Sequence, residues 1–146
     1  MTTGLPVFDT TVQETNRWLA MVQAMLPAST RQQAYAATRA VLHELRDRLP
    51  MDAVLGLSAQ LPMLLRGVVL EGWRPAEGPT DIRAPLAFCD AVARRLPPDF
   101  PRAPDVITPA VFAVLAERLD PGETAKIVRH LPEPLRTLWP AEFRVA

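Results

Sequence analysis

AYAATRAVLHELRDRLPMDAVLGLSAQLPMLLRGVVLEGW, residues 34–73, is the stretch on which the fold turns. Ala34, Thr38, Val41, Leu42, Leu45 and Leu49 recur at steps of three and four, which sets them on one side of a 3.6-residue helix. Arg39, Glu44, Arg46, Asp47 and Arg48 then turn mostly toward water. Ala, Leu, Arg and Glu dominate, so intrinsic propensity agrees with the period. Ser29 or Thr30 can cap the start through its hydroxyl, and Pro50 stops the helix because it lacks an amide hydrogen and steers Leu49 away from helical angles. Asp52 reads as the cap of a second helix reaching about Gln60, where Pro62 interrupts. The run MLLRGVVL that follows is far shorter than the ~20 residues a helix needs to span a bilayer, so it is a buried short helix or a contact surface.

Working outward, residues 1–9 read as a loose lead-in with Phe8 packing back, and Trp18, Leu19, Val22, Met25 and Leu26 form a helical stripe from about Thr11 to Leu26. The Gly- and Pro-rich segment GVVLEGWRPAEGPTDIRAP reads as a connector. Beyond it the chain aligns with itself at an offset of seventy residues. Trp18, Val22, Leu26 and Pro27 match Phe88, Val92, Leu96 and Pro97; Thr38, Val41, Leu45 and Leu49 match Thr108, Val111, Leu115 and Leu119. Leu61, Pro62, Leu65 and Arg66 match Leu131, Pro132, Leu135 and Arg136 without a gap. The pattern predicts an all-α fold, one compact domain over 1–146 made of two pseudo-symmetric helical repeats at about 11–73 and 85–140, joined by a connector at about 74–84. The second repeat is predicted to hold helices near 85–96, 109–119 and 121–131 and a turn at 134–138. Thr108-Pro109 reads as a capped start, and Asp120 as a cap with Glu123 as its capping-box partner. The stripes of 34–49 and 108–119 are expected to meet at a pseudo-twofold centre.

Composition narrows the function classes. In 146 residues, 16 Lys and Arg balance 16 Asp and Glu, which removes the strong positive field of a protein that grips nucleic acid by charge; a local arginine patch stays open. The single cysteine allows no internal disulfide. The start MTTGLPVFDTT lacks the basic stretch and apolar core of a secretory signal, and no segment reads as a membrane span, so the expected compartment is the cytoplasm.

The run AVLHELRDRLP at 40–50, AQLPMLLRG at 59–67, Gly72-Trp73 and the closing LPEPLRTLWP at 131–140 resemble family 2267 of the bacterial domains of unknown function. The resemblance covers nearly the whole chain. It implies an all-helical, internally duplicated, cytoplasmic bacterial protein, and it brings no activity or functional residues with it.

Candidate chemistry is sparse. His43 and His130 are the only histidines and do not fall on each other in the seventy-residue register, so neither completes a zinc ligand set. Cys89 lies beside Phe88 and Val92 on an expected helix, where a free thiol behaves as a small apolar group. Ser29 and Ser58 sit in no nucleophile elbow, and the carboxylates are dispersed. Neither a phosphate loop nor a dinucleotide fingerprint occurs. Arg66 and Arg136 follow matching Leu-Pro turns and either grip an anion as a pair or cap the carbonyls of the preceding helix. The remaining candidate is an interaction surface formed by Met63, Leu64, Arg66, Val69, Leu70 and Trp73. The reading is a non-catalytic protein-interaction module, without metal or cofactor, that pairs with itself or with a protein partner. The alternative is a small-ligand or nucleic-acid-binding protein using Arg39, Arg46, Arg48, Arg94 and Arg95.

Overall fold

In the computed structural model, which describes residues 2–144, Arg31–Arg48 forms helix α2. Its start is a full capping box: the Gln33 amide donates to Thr30 Oγ1 at 3.0 Å while the Thr30 amide donates to Gln33 Oε1 at 2.9 Å. Thr30, not Ser29, is therefore the cap. Leu49 is extended before Pro50, and α3 (Met51–Gln60) begins at once. Asp52 consequently falls inside its first turn instead of capping it, where its charge still faces the positive end of the helix. The run after Pro62 is α4 (Met63–Leu70).

α1 spans Pro6–Met25, so residues 6–9 of the expected loose lead-in are already helix. Pro6 at its first turn needs no amide partner, and Asp9 supplies favourable negative charge there. Phe8 does not pack back; it is exposed. After a short 3₁₀ helix, Pro75–Glu77, come α5 (Pro85–Arg94), α6 (Pro104–Arg118) and α7 (Pro121–Arg129), then 3₁₀ helices Glu133–Leu138 and Ala141–Phe143.

α6 departs from expectation by starting five residues before Pro109 and carrying that proline inside. Thr108 is buried within the helix instead of capping it. Continuing the helix keeps Ile107 and Thr108 on the core side in phase with Val111, and this packing outweighs the backbone bond that Pro109 cannot make. Asp120 does cap α7, accepting from the amides of Gly122 (3.1 Å) and Glu123 (3.3 Å). Glu123 does not return the bond. Gln60, from the other half of the chain, accepts from the Asp120 amide at 3.3 Å, and Glu123 leans toward Gly56, whose missing Cβ leaves it room.

Much of the helix packing repeats when α1, α2, α3 and α4 are exchanged for α5, α6, α7 and the 133–138 turn, although α3 on α4 and α6 on α7 have no comparable counterpart. α1 on α2 answers α5 on α6, α1 on α6 answers α2 on α5, and α1 on α4 answers α5 on the 133–138 turn. α2 on α6 and α3 on α7 answer themselves. Each half thus lays its helices against those of the other, and one core runs through both, from Trp18, Val22 and Leu45 to Leu115 and Leu135. Its second-half end is aromatic: Phe112 stacks on Trp139 at 4.2 Å and meets Phe88 at 5.8 Å. The connector is strapped to α2, with the Thr80 amide donating to the Asp47 carbonyl (2.8 Å) and Arg48 Nε to the Ile82 carbonyl (2.6 Å).

Candidate functional site

The six residues expected to form one surface are divided by the helix they sit on. Leu65 and Val69, four apart, point α4 into the core, and Val69 is 0% exposed. Leu70 and Trp73 are partly buried against the same core. Arg66 is occupied internally: Nε donates to the Ser58 carbonyl and Nη2 to the Leu61 carbonyl, both at 3.0 Å, so it caps the end of α3. Arg136 repeats the device, donating to the carbonyls of Leu131 (3.2 Å) and Arg129 (3.3 Å). Of the two readings of this arginine pair, the geometry is that of helix capping. Met63 and Leu64 stand well out of the protein, each 48% exposed, and Arg66 stays exposed although its guanidinium caps α3.

They are not alone. The Leu64 amide donates to Thr11 Oγ1 at 3.2 Å, which fixes the start of α4 against α1. Val7 and Phe8 lie one turn before Thr11 on the same side of α1, and both are about half exposed. Met63, Leu64, Val7 and Phe8 are thus exposed apolar side chains near the junction where α1 meets α4. The helical extension of α1 is what supplies two of the four, and reading residues 1–9 as a lead-in hid them.

The polar face of α2 is largely turned inward. His43 Nε2 lies 2.7 Å from the Val68 carbonyl, which makes Nε2 the protonated, donating nitrogen. Arg46 Nη1 donates to the carbonyls of Val69 (3.0 Å) and Glu71 (2.7 Å), so His43 and Arg46 together satisfy the C-terminal carbonyls around α4. Arg95 reaches across from the end of α5 to Glu44 (2.6 Å) and Asp47 (2.9 Å), and Arg39 pairs with Glu71 at 2.9 Å. Burial pushes the His43 imidazole below its usual pKa against the pull of the Val68 carbonyl, and Arg46, Arg39 and Arg95 push it further down. The hydrogen bond from Arg39, helped by its charge, holds Glu71 below the usual carboxylate range. Burial raises the Cys89 thiol.

Four of the five arginines considered for nucleic acid thus have partners within the protein: Arg39, Arg46 and Arg95 hold carboxylates, and Arg48 holds the connector. His130 donates from Nδ1 to the Lys126 carbonyl at 2.7 Å, and Ser58 Oγ to the Leu55 carbonyl at 3.0 Å. Among the described residues no group of three or more His, Cys, Asp or Glu side chains is placed to hold a metal ion. Among the same residues no helix is long and apolar enough to cross a membrane.

At the seventy-residue offset α6 bears side chains of opposite chemistry. Where α2 and α5 carry Arg39, His43, Glu44, Arg46 and Arg95, the matching places hold Pro109, Ala113, Val114, Ala116 and Met25. The corresponding face is an open groove of about 550 Å³ along α6, floored by the buried Trp139 and continuous through Met25 and Ala113 with a second hollow of about 320 Å³ beside α1.

An all-helical protein whose halves pack in exchange, with internally satisfied arginines at matching turns and outer faces of opposite chemistry, is the class defined by these features. The chain belongs to the DUF2267 family of uncharacterized conserved proteins, which matches it over residues 15–138. A comparison with curated proteins returns no match.

Proposed function

We propose that the chain is a non-catalytic protein-interaction module of the cytoplasm. The observation that carries this reading is the set of exposed apolar side chains Val7, Phe8, Met63 and Leu64, which present carbon to solvent near the junction of α1 and α4. The polar groups support it from the other side: His43, Arg46, Arg66 and Arg95 hold backbone carbonyls or carboxylates in place, and of the four only Arg46 lines the hollow it shares with Asp47, Arg74 and Glu77. The same pairing weighs against a nucleic-acid surface, because each ion pair would have to open before a phosphate could be held.

The test is a comparison of proteins recovered from the native cell by the unaltered chain and by Met63→Glu and Phe8→Glu, both at exposed positions that leave the core untouched. The expected result is a protein that the unaltered chain retains and both variants lose at unchanged melting temperature. Identical recoveries, or salt-dependent DNA binding at micromolar protein, would refute the reading.

A further inference from the structure

Where residues 72–80 fold back on the end of α2 they leave a hollow of about 140 Å³. Arg46 and Asp47 line it from α2, Trp73 and Pro79 from the chain that folds back, and the exposed side chains of Met51 and Arg74 also border it. We propose that this hollow binds a small aromatic carboxylate, with the ring against Trp73 and the carboxylate between Arg46 and Arg74. The site rests on observations separate from those behind the interaction reading, and either can hold without the other.

The unspent donors select the ligand. The Arg46 side chain is only 5% exposed, and a guanidinium has five N–H groups to place. Nε and Nη2 donate to the two oxygens of Asp47 (2.9 and 3.3 Å), and Nη1 donates to the carbonyls of Val69 and Glu71. Among the described residues the fifth N–H, on Nη2, meets no acceptor. Asp47 is in the reverse position: Oδ1 accepts from Arg46, and Oδ2 from both Arg46 and Arg95. The acceptor in the hollow is therefore taken while a buried cationic donor is not, so a ligand that fits must bring acceptor oxygens. Arg74 adds a second guanidinium, since its pairing with Glu77 is long, at 3.5 Å, and exposed on both sides, and such a pair opens at little cost. Two guanidiniums suit a carboxylate, whose two oxygens can each accept a charge-assisted bond.

Size and walls select the rest. A cavity of about 150 Å³ takes one benzene ring, so a single ring with its carboxylate suits this volume. An indole is a favourable neighbour for such a ring. The walls are set before a ligand arrives: the Thr80 amide ties the segment to the Asp47 carbonyl, the Gly78 amide donates to the Pro75 carbonyl at 3.0 Å, and Gly78 holds a φ of 70° that a side chain would strain. A site already in shape spends less of its binding energy on ordering. The second repeat has no equivalent, because Ala116 stands where Arg46 does at the seventy-residue offset. One ligand is expected per chain.

Titration of the full chain with benzoate, followed by two-dimensional NMR of the amide and indole N–H groups, tests this. Trp18 and Trp139 are each 1% exposed, so the Trp73 indole is the one that reports on the hollow. Its signal should shift together with the amides of Gly72 and Gly78 and saturate with a Kd of about 1 mM, as suits a ligand of this size. Benzamide, which keeps the ring without the charge, and acetate, which keeps the charge without the ring, should each bind at least about fivefold more weakly. Arg74→Gln and Met51→Glu, both at exposed positions where loss of folding is no explanation, should each weaken benzoate at least about fivefold. Met63→Glu, outside the hollow, should leave benzoate binding unchanged. The proposal is overturned if no saturable shift appears by about 20 mM benzoate, if the shifts fall away from residues 72–80, or if benzamide binds as tightly as benzoate.

Discussion

Replacing Leu45 or Leu115 by Ala probes the join between the halves directly. Both side chains are 0% exposed, on the two helices that meet at the centre of the exchange. Each substitution removes three buried carbons, about 2.4 kcal/mol at roughly 0.8 kcal/mol each. If the surrounding helices hold their places, the residual cavity adds up to about 2 kcal/mol, for a total of about 4 kcal/mol. At roughly 3 °C per kcal/mol for a chain of this size, the melting temperature should fall by about 12 °C. Calorimetry and urea titration followed by circular dichroism measure both quantities. Leu86→Ala, at a position 73% exposed, is the control and should stay within about 0.5 kcal/mol of wild type. Because α1 packs on α6 and α2 on α5, each variant should still unfold in one transition. A loss below about 1 kcal/mol, or a melt in which half the signal goes first, would refute the idea of a single shared core.

Further outcomes follow from the polar contacts. His43 is buried and its folded pKa lies below the ordinary 6.5, so the unfolded chain binds the extra proton first. Its contribution is therefore complete above pH 6.5 and is lost as pH falls below that value, by at most about 1.4 kcal/mol per pH unit. His43→Gln, whose amide can still reach the Val68 carbonyl, should flatten chemical-denaturation stability between pH 7.5 and 5.5; an unchanged slope would contradict the assignment. Arg66→Met should cost about 1.5–3 kcal/mol by urea titration, with no rescue by Lys, whose single ammonium cannot span the two carbonyls. Thr30→Ala and Asp120→Ala should each cost about 1 kcal/mol, read as increased amide exchange in the first turns of α2 and α7.

The core was legible because its period is strong: Val41, Leu45, Val111 and Leu115 recur at helical spacing and are all fully buried. Leu-Pro at 61–62 and 131–132 punctuates correctly, since proline acts locally. Pro109 misled for the same reason. A proline starts a helix as readily as it ends one, and neighbours deep in the core can carry a helix through it. The fold divides the candidate surface because the composition of 63–73 does not show which helix face each residue takes: Val69 is turned inward while Met63 and Leu64 are not. Glu123 failed as a capping partner because Gln60, sixty residues earlier, answers the Asp120 amide, and no local pattern announces a contact from the opposite half. The groove was written in the register itself, as Ala113 against His43 and Met25 against Arg95, and it shows only when mismatches between copies are read as well as matches.

Two identical molecules that clasp each other must wear the same side chains on both flanks. Placing both units in one continuous chain lifts that restriction, since each flank is then encoded separately. Arg95 can seal one flank with carboxylates while Met25 leaves its counterpart greasy and open, and neither choice disturbs the clasp between them. A single polypeptide thereby gains a front and a back from a plan that by itself has neither.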